Sequence, residues 1–173
     1  MTYVPQARLV LQDAMFVREK LEHEIGVIEW RLLWVLSVVL LRAVGHVLDK
    51  VDGNGDRRVQ AVSRSLHKQW KTLPEHAIFR DFIEQERNNV LKEYESSVTE
   101  GPVPLVAYLQ SHDGFDTVRQ FLIEENIYRP LHSGPYEGED GRTVIDDAIE
   151  WWRVQLQRID HEVQTSVGSA VTK

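Results

Sequence analysis

Residues 32–41 (LLWVLSVVLL) contain one polar side chain, Ser37, in ten positions. Such a run covers about half of the ~20 apolar residues that a membrane-crossing helix needs. Glu29 and Arg31 precede it and Arg42 follows it. A rod this apolar must be covered by other helices, so residues 27–51 are expected to form the central buried helix of a bundle. No membrane span is expected. The opening stretch MTYVPQARLVLQDAMF lacks the basic and apolar blocks of a secretion signal, so none is expected there.

The rest of the chain supplies partners for that rod. Residues 6–24 carry Leu9, Leu11, Ala14, Met15 and Phe16 before a charged end, REKLEHE, and read as a helix. Gly26 marks either a turn or a close helix contact. Residues 52–56 (DGNGD) read as a break. A third helix over 59–73 presents Val59, Val62, Leu66 and Trp70, and Pro74 opens a fourth over 75–98. GPVP at 101–104 ends the helical run. Residues 105–109 suit a short helix before a break at SHDG, and FLIEENIYRPL suits a small hairpin. The glycines and proline of HSGPYEGEDG make a loop. Val144, Ile145, Ala148, Ile149, Trp152, Leu156, Ile159 and Val163 then form one stripe of a last helix, with Thr143 and Asp146 spaced as a capping box.

The expected fold is therefore all-α: four to five helices with a small irregular or β-hairpin flap before the last helix. One domain spans 1–173, with a helical core over 6–98, a flap over 101–141, a last helix over 142–167 and a frayed tail from 168. Twenty basic and 27 acidic side chains leave a formal charge of −7, which disfavours binding to RNA or other phosphate backbones. The absence of cysteine excludes disulfides, thiol nucleophiles and cysteine metal sites, and suits a reducing cytoplasm.

Two polar features sit where apolar residues are wanted. On the second helix Arg31, Arg42, His46 and Asp49 fall within about 60° of one another. On the fourth, Glu86 and Arg87 lie in or beside the sector holding Phe79, Phe82, Ile83, Val90, Leu91 and Tyr94. A charge buried there must be paired or hydrogen-bonded. The line on the second helix is either its solvent edge or half of a polar seam with Glu86 and Arg87. Such a seam could set helix register, or it could hold a small anionic ligand through Arg42, His46 and Arg87.

The pair Arg87-Asn88 within FIEQERNNVLKEY, following a long apolar helix, resembles the HEPN superfamily of small helical bundles. The resemblance covers about residues 6–98. It implies a homodimer and, in active members, metal-independent endoribonucleases of toxin or antiviral type, in which an arginine and, after four to six intervening residues, a histidine act at the ribose. Here those positions are Lys92, Glu93 and Tyr94, so only Arg87 and Asn88 carry over. Arg18 and His23 have the spacing by coincidence. The resemblance thus implies a binding or interaction protein rather than an enzyme, with Arg42, His46, Glu86, Arg87 and Asn88 lining a polar seam. Its partner is a second copy, another protein or a small anion. A ribonuclease using Arg87 with His46 is the alternative reading, and a purely structural seam is a third.

Other motifs lead nowhere. Framed at Asp52, DKVDGNGDRR has Arg57 for the glycine and Ser63 for the final glutamate of a calcium loop; framed at Lys50, it has Lys50 at the first ligand position and Ala61 at the last. The seven histidines show no zinc spacing, with most expected to be exposed, and Ser133 lacks the elbow context of a nucleophile. No metal and no cofactor are expected. Trp151 and Trp152 point about 100° apart, which leaves Trp151 for the flap or a partner, and Tyr136 is a second candidate contact residue.

Overall fold

Helix α1 (Pro5–Lys20) packs along α2 (Val27–Val47), and both lean on the last helix, α5 (Gly141–Val171). Between them in sequence lie α3 (Arg57–Thr72), α4 (Gln85–Lys92) and one antiparallel hairpin, β1 (Val103–Gln110) with β2 (Asp116–Ile123). The computed structural model describes residues 2–101, 103–110, 116–123 and 126–171. The expected all-α bundle with a flap before its last helix is what forms. The SHDG break lies outside the described residues.

α2 is central, touching α1, α4 and α5. Trp30, Trp34, Val38, Leu41 and Val44 are sealed inside, with Trp30 and Trp34 stacked at 5.8 Å. It is nevertheless buried on one side only. Val27, Ile28, Leu32 and Leu36 stay exposed, so the expectation of a fully covered rod is corrected.

The glycine-rich break is corrected too. After α2 the backbone widens into a π-helical turn, Leu48–Asp52, and stays helical through Gly53–Gly55 before Asp56 turns it. The continuous run Val27–Gly55, 29 residues, is long and apolar enough by composition to cross a membrane, unlike the ten-residue segment inside it. Two contacts explain why the helix persists through DGNGD. The Asp52 carboxylate accepts the backbone N–H groups of Gln6 and Ala7 at 3.2 and 2.8 Å, so it caps α1 from a distant segment. A side chain at Gly53 would meet the Leu48 carbonyl at 3.1 Å, so glycine permits the close turn. Asp56 caps α3 by accepting the N–H of Arg58, and the Asn54 amide donates to the Lys50 carbonyl. Asp52 and Asp56 of this would-be calcium loop are thus used in holding helix ends.

The fourth expected helix is three pieces: a 3₁₀ turn at Pro74–His76, a π-helical stretch at Phe79–Glu84, and α4. It stops at Tyr94, whose φ of 55° is the left-handed value that ends helices. The stretch 105–109, expected as a helix, is instead a strand paired with 117–121. Val106 and Tyr108, a β-branched and an aromatic residue, suit a ribbon. The hairpin accordingly lies upstream of its expected place.

α5 realises its stripe in full, with every residue from Val144 to Val163 on that face buried. Its cap differs from expectation. Asp140 accepts the N–H of Arg142 at 2.9 Å, whereas Thr143 already lies within the helix. The described helix also continues to Val171, beyond the expected fraying point.

Candidate functional site

The five residues expected to share one seam divide among three places. Arg42 and His46 line an open cleft of about 430 Å³ between the C-terminal half of α2, α3 and Phe79. Glu86 lines a separate hollow of about 260 Å³ beneath Tyr136. Arg87 and Asn88 bind each other, the guanidinium donating to the Asn88 Oδ1 at 3.1 Å, and line neither.

Glu86 is a structural clamp. Although 3% exposed, its carboxylate accepts the Trp34 indole N–H at 3.0 Å, the Ser97 N–H at 3.0 Å and the Ser97 hydroxyl at 2.5 Å. Those bonds tie α4 to α2 and to the chain leaving α4. The carboxylate that meets Arg42 is Glu84, at 3.6 Å, two residues from the expected partner. Arg31, from the same polar line, pairs with Glu100 at 3.7 Å and lies apart from the cleft.

The cleft has a floor of Trp70 and Phe79, both buried, with ring centroids 5.6 Å apart. These rings are placed by packing: α3 turns Val59, Ser63, Leu66 and Trp70 inward, and the Trp70 N–H donates to Gln155 of α5 at 2.8 Å. The adjoining side of α3 presents Arg64, His67 and Lys68 to the cleft, facing Arg42 and His46 of α2 and Asp49 of the π-helical turn. His67 stands edge-on to Trp70 and Phe79 at 6.0 and 5.9 Å. Burial, and then the neighbouring Lys71 charge, lower its pKa below 6.5, so its ring is neutral at pH 7.

Three cations thus face one carboxylate here, in a chain that is acidic as a whole. Asp49 is drawn below its ordinary value chiefly by Lys50, 2.8 Å away, while Arg64 approaches it only to 3.8 Å. At 3.6 and 3.8 Å neither Arg42 nor Arg64 hydrogen-bonds its carboxylate, and among the described residues neither guanidinium has another acceptor. Lys68 has no ion pair among them. Glu84 is shared, since Lys71 also pairs with it. The Arg42 guanidinium lies 6.0 Å over Phe79 and the Lys71 ammonium 5.8 Å from the same ring. Such a site offers several unspent N–H donors above an apolar floor.

Arg64, His67 and Lys68 escaped the sequence reading. Their i, i+3, i+4 spacing, beginning beside the Val59–Trp70 stripe, was the available signal. The two candidate contact residues are also relocated. Trp151 packs on Trp70, Phe79 and Trp152, at 5.3, 5.3 and 4.8 Å, and donates its N–H to His76 Nδ1 at 3.2 Å. Both adjacent tryptophans therefore reach one aromatic cluster, Trp151 at its half-buried edge. Tyr136 is half-buried against Phe82, and burial followed by the charge of Asp81 raises its pKa. His76, expected at the surface, is buried. Among the described residues no cluster of histidine and carboxylate side chains could hold a metal. No family model, curated protein or solved structure matches this chain.

Proposed function

We propose that this chain is a non-catalytic binding protein that holds a small anionic molecule in the cleft between α2 and α3. The observation that carries this reading is the pair of arginines, Arg42 and Arg64, with their guanidinium donors unspent over an aromatic floor. Guanidinium groups suit planar and tetrahedral anions because they donate two parallel hydrogen bonds. Trp70 and Phe79 supply apolar surface for a flat portion of the ligand, and the volume suits one small molecule. A HEPN-like ancestry is part of the proposal, supported by the helical bundle and by Arg87-Asn88 on the helix packed against α2. A cytoplasmic setting is in keeping with the lack of cysteine. The ribonuclease alternative has less support, because Arg87 and His46 do not line one cleft.

Calorimetric titration with pyrophosphate and with adenosine monophosphate tests the reading. Binding should weaken as salt rises, and Arg42→Met or Lys68→Met should each weaken it roughly 10-fold or more with the fold retained. Absence of binding by the unaltered protein at millimolar concentrations of both probes overturns it.

A further inference from the structure

Among the described residues, two apolar surfaces have no cover. The first is the hairpin. Its register puts Val106, Val118 and Leu122 on one face of the ribbon and Phe121 on the other. All four are exposed, Leu122 to 65%. Among the described residues no helix lies along either strand. A two-stranded ribbon by itself is marginally stable in water, and among the described residues both of its edges are open to pairing.

The root of the ribbon, in contrast, is firmly held. Arg129, 4% exposed, donates to the carbonyls of Glu100 and Gly101 at 3.0 and 2.8 Å, where the chain enters β1. Arg142, also buried, donates to the carbonyls of Asn126 and Ile127 at 2.8 and 2.7 Å, where the chain leaves β2. Asp140 holds Arg142 at 2.8 Å, and the Asn126 amide donates to the carbonyls of Leu21 and His23. Burying two guanidinium groups is costly. Here they fix the direction of a ribbon along which no described helix packs.

The second surface is the open side of α2. Val27, Ile28, Leu32 and Leu36 leave an apolar stripe there, bordered by Arg31, with Ile28 exposed to 67%. The stripe begins beside the ribbon root, since Arg31 of α2 pairs with Glu100.

We infer that the hairpin is a docking arm that lies across the α2 stripe of a second copy, the two copies exchanging arms about a two-fold axis. Three observations favour that occupant. Both surfaces are apolar, so a second acidic chain meets them without bringing like charges together. The clasped root holds the arm off its own α2, which leaves that stripe to an arm from elsewhere. The seven of these side chains that can face each other, leaving out Phe121 on the far side of the ribbon, expose on the order of 600 Å² per copy, against the roughly 800 Å² that each partner buries in a standard interface. Each strand spans about 27 Å, ample for a stripe about 14 Å long. The exchange closes on itself and stops at two copies.

Sedimentation of the full chain is the test. The unaltered protein should be a dimer, and Leu32→Glu on the stripe should raise its dissociation constant at least ~30-fold. The double change Val118→Glu with Leu122→Glu on the arm should do the same. Mixed together, the two altered proteins should form a heterodimer, because one intact arm then meets one intact stripe. If Leu32→Glu loses its far-ultraviolet helical signal, Ile28→Gln replaces it with the same expectation. A monomer at ~100 μM, a dimer indifferent to the arm change, or no recovery on mixing overturns the inference. So does a monomer that sediments with phosphatidylcholine vesicles through Leu32, which would make the stripe a lipid contact. None of these results bears on anion binding in the cleft.

Discussion

The indole N–H of Trp34 donates to the carboxylate of Glu86 at 3.0 Å, joining the most buried turn of α2 to α4. The same carboxylate takes both hydrogen-bonding groups of Ser97, so three donors converge on one charged side chain within the core. Removing it strands an indole N–H and a backbone N–H without acceptors, which costs more than the bonds themselves contribute. Glu86→Ala should lower unfolding free energy by about 3 kcal/mol. Glu86→Gln should lose less, because its amide oxygen still accepts from Trp34. Urea unfolding of the two variants decides this; equal stability of Glu86→Ala and the unaltered protein would show that the clamp contributes nothing.

Asp52 connects the end of the long helical run to the beginning of α1. No side chain of the α1 cap itself satisfies its first N–H groups, since Val4 occupies that position. The carboxylate of Asp52 does so instead, with its negative charge at the positive end of the helix. Asp52→Ala should destabilise the protein by about 1–2 kcal/mol, with the loss concentrated in α1. Hydrogen exchange reads this directly: the amides of residues 6–10 should lose protection before those of α5. Uniform loss throughout the bundle would assign Asp52 some other role.

Most of the architecture was readable because each helix repeats its apolar residues at the helical period, and α5 is the clearest case. The errors arose where contacts from distant segments overrode local signals. DGNGD looks like a break, yet Asp52 is tied to α1 and Gly53 fits beneath a carbonyl, so the helix continues. In α1, Leu11 and Ala14 face inward while Leu9, Met15 and Phe16 face out, a choice the period alone does not make. The cleft was half legible. Arg42 and His46 stood out against an apolar rod, whereas Arg64, His67 and Lys68 looked like any solvated helix face. Only the packing of Trp70 and Phe79 turns those two polar lines toward each other.

His76 supplies a pH dependence of known sign. Burial, opposed in part by Glu75 and aided by Arg158 and Arg80, lowers its pKa below 6.5, and its Nδ1 must stay unprotonated to accept from Trp151. Below that value the unfolded chain binds a proton that the folded chain resists. Stability from the neutral ring is therefore complete above about pH 6.5 and declines as pH falls. His67, shifted the same way, adds to the decline. In His76→Asn the amide oxygen can take the indole N–H without titrating, so the slope of stability between pH 6.5 and 5 should become shallower. An unchanged slope would place the dependence in other groups.

Arg87 marks the boundary between the site expected from the sequence and the one formed by folding. Its guanidinium reaches the neighbouring Asn88, is half exposed, and lies outside the cleft that Arg42 enters. Arg87→Met keeps the length and apolar character of the side chain while removing its charge, so the helix should accept it within about 0.5 kcal/mol. If anions are held between α2 and α3, their affinity should be unchanged by this substitution and reduced by Arg42→Met. Titrating both variants with pyrophosphate under one salt condition compares them directly. Loss of binding in Arg87→Met with Arg42→Met unaffected would move the site from the α2–α3 cleft to the outer face of α4.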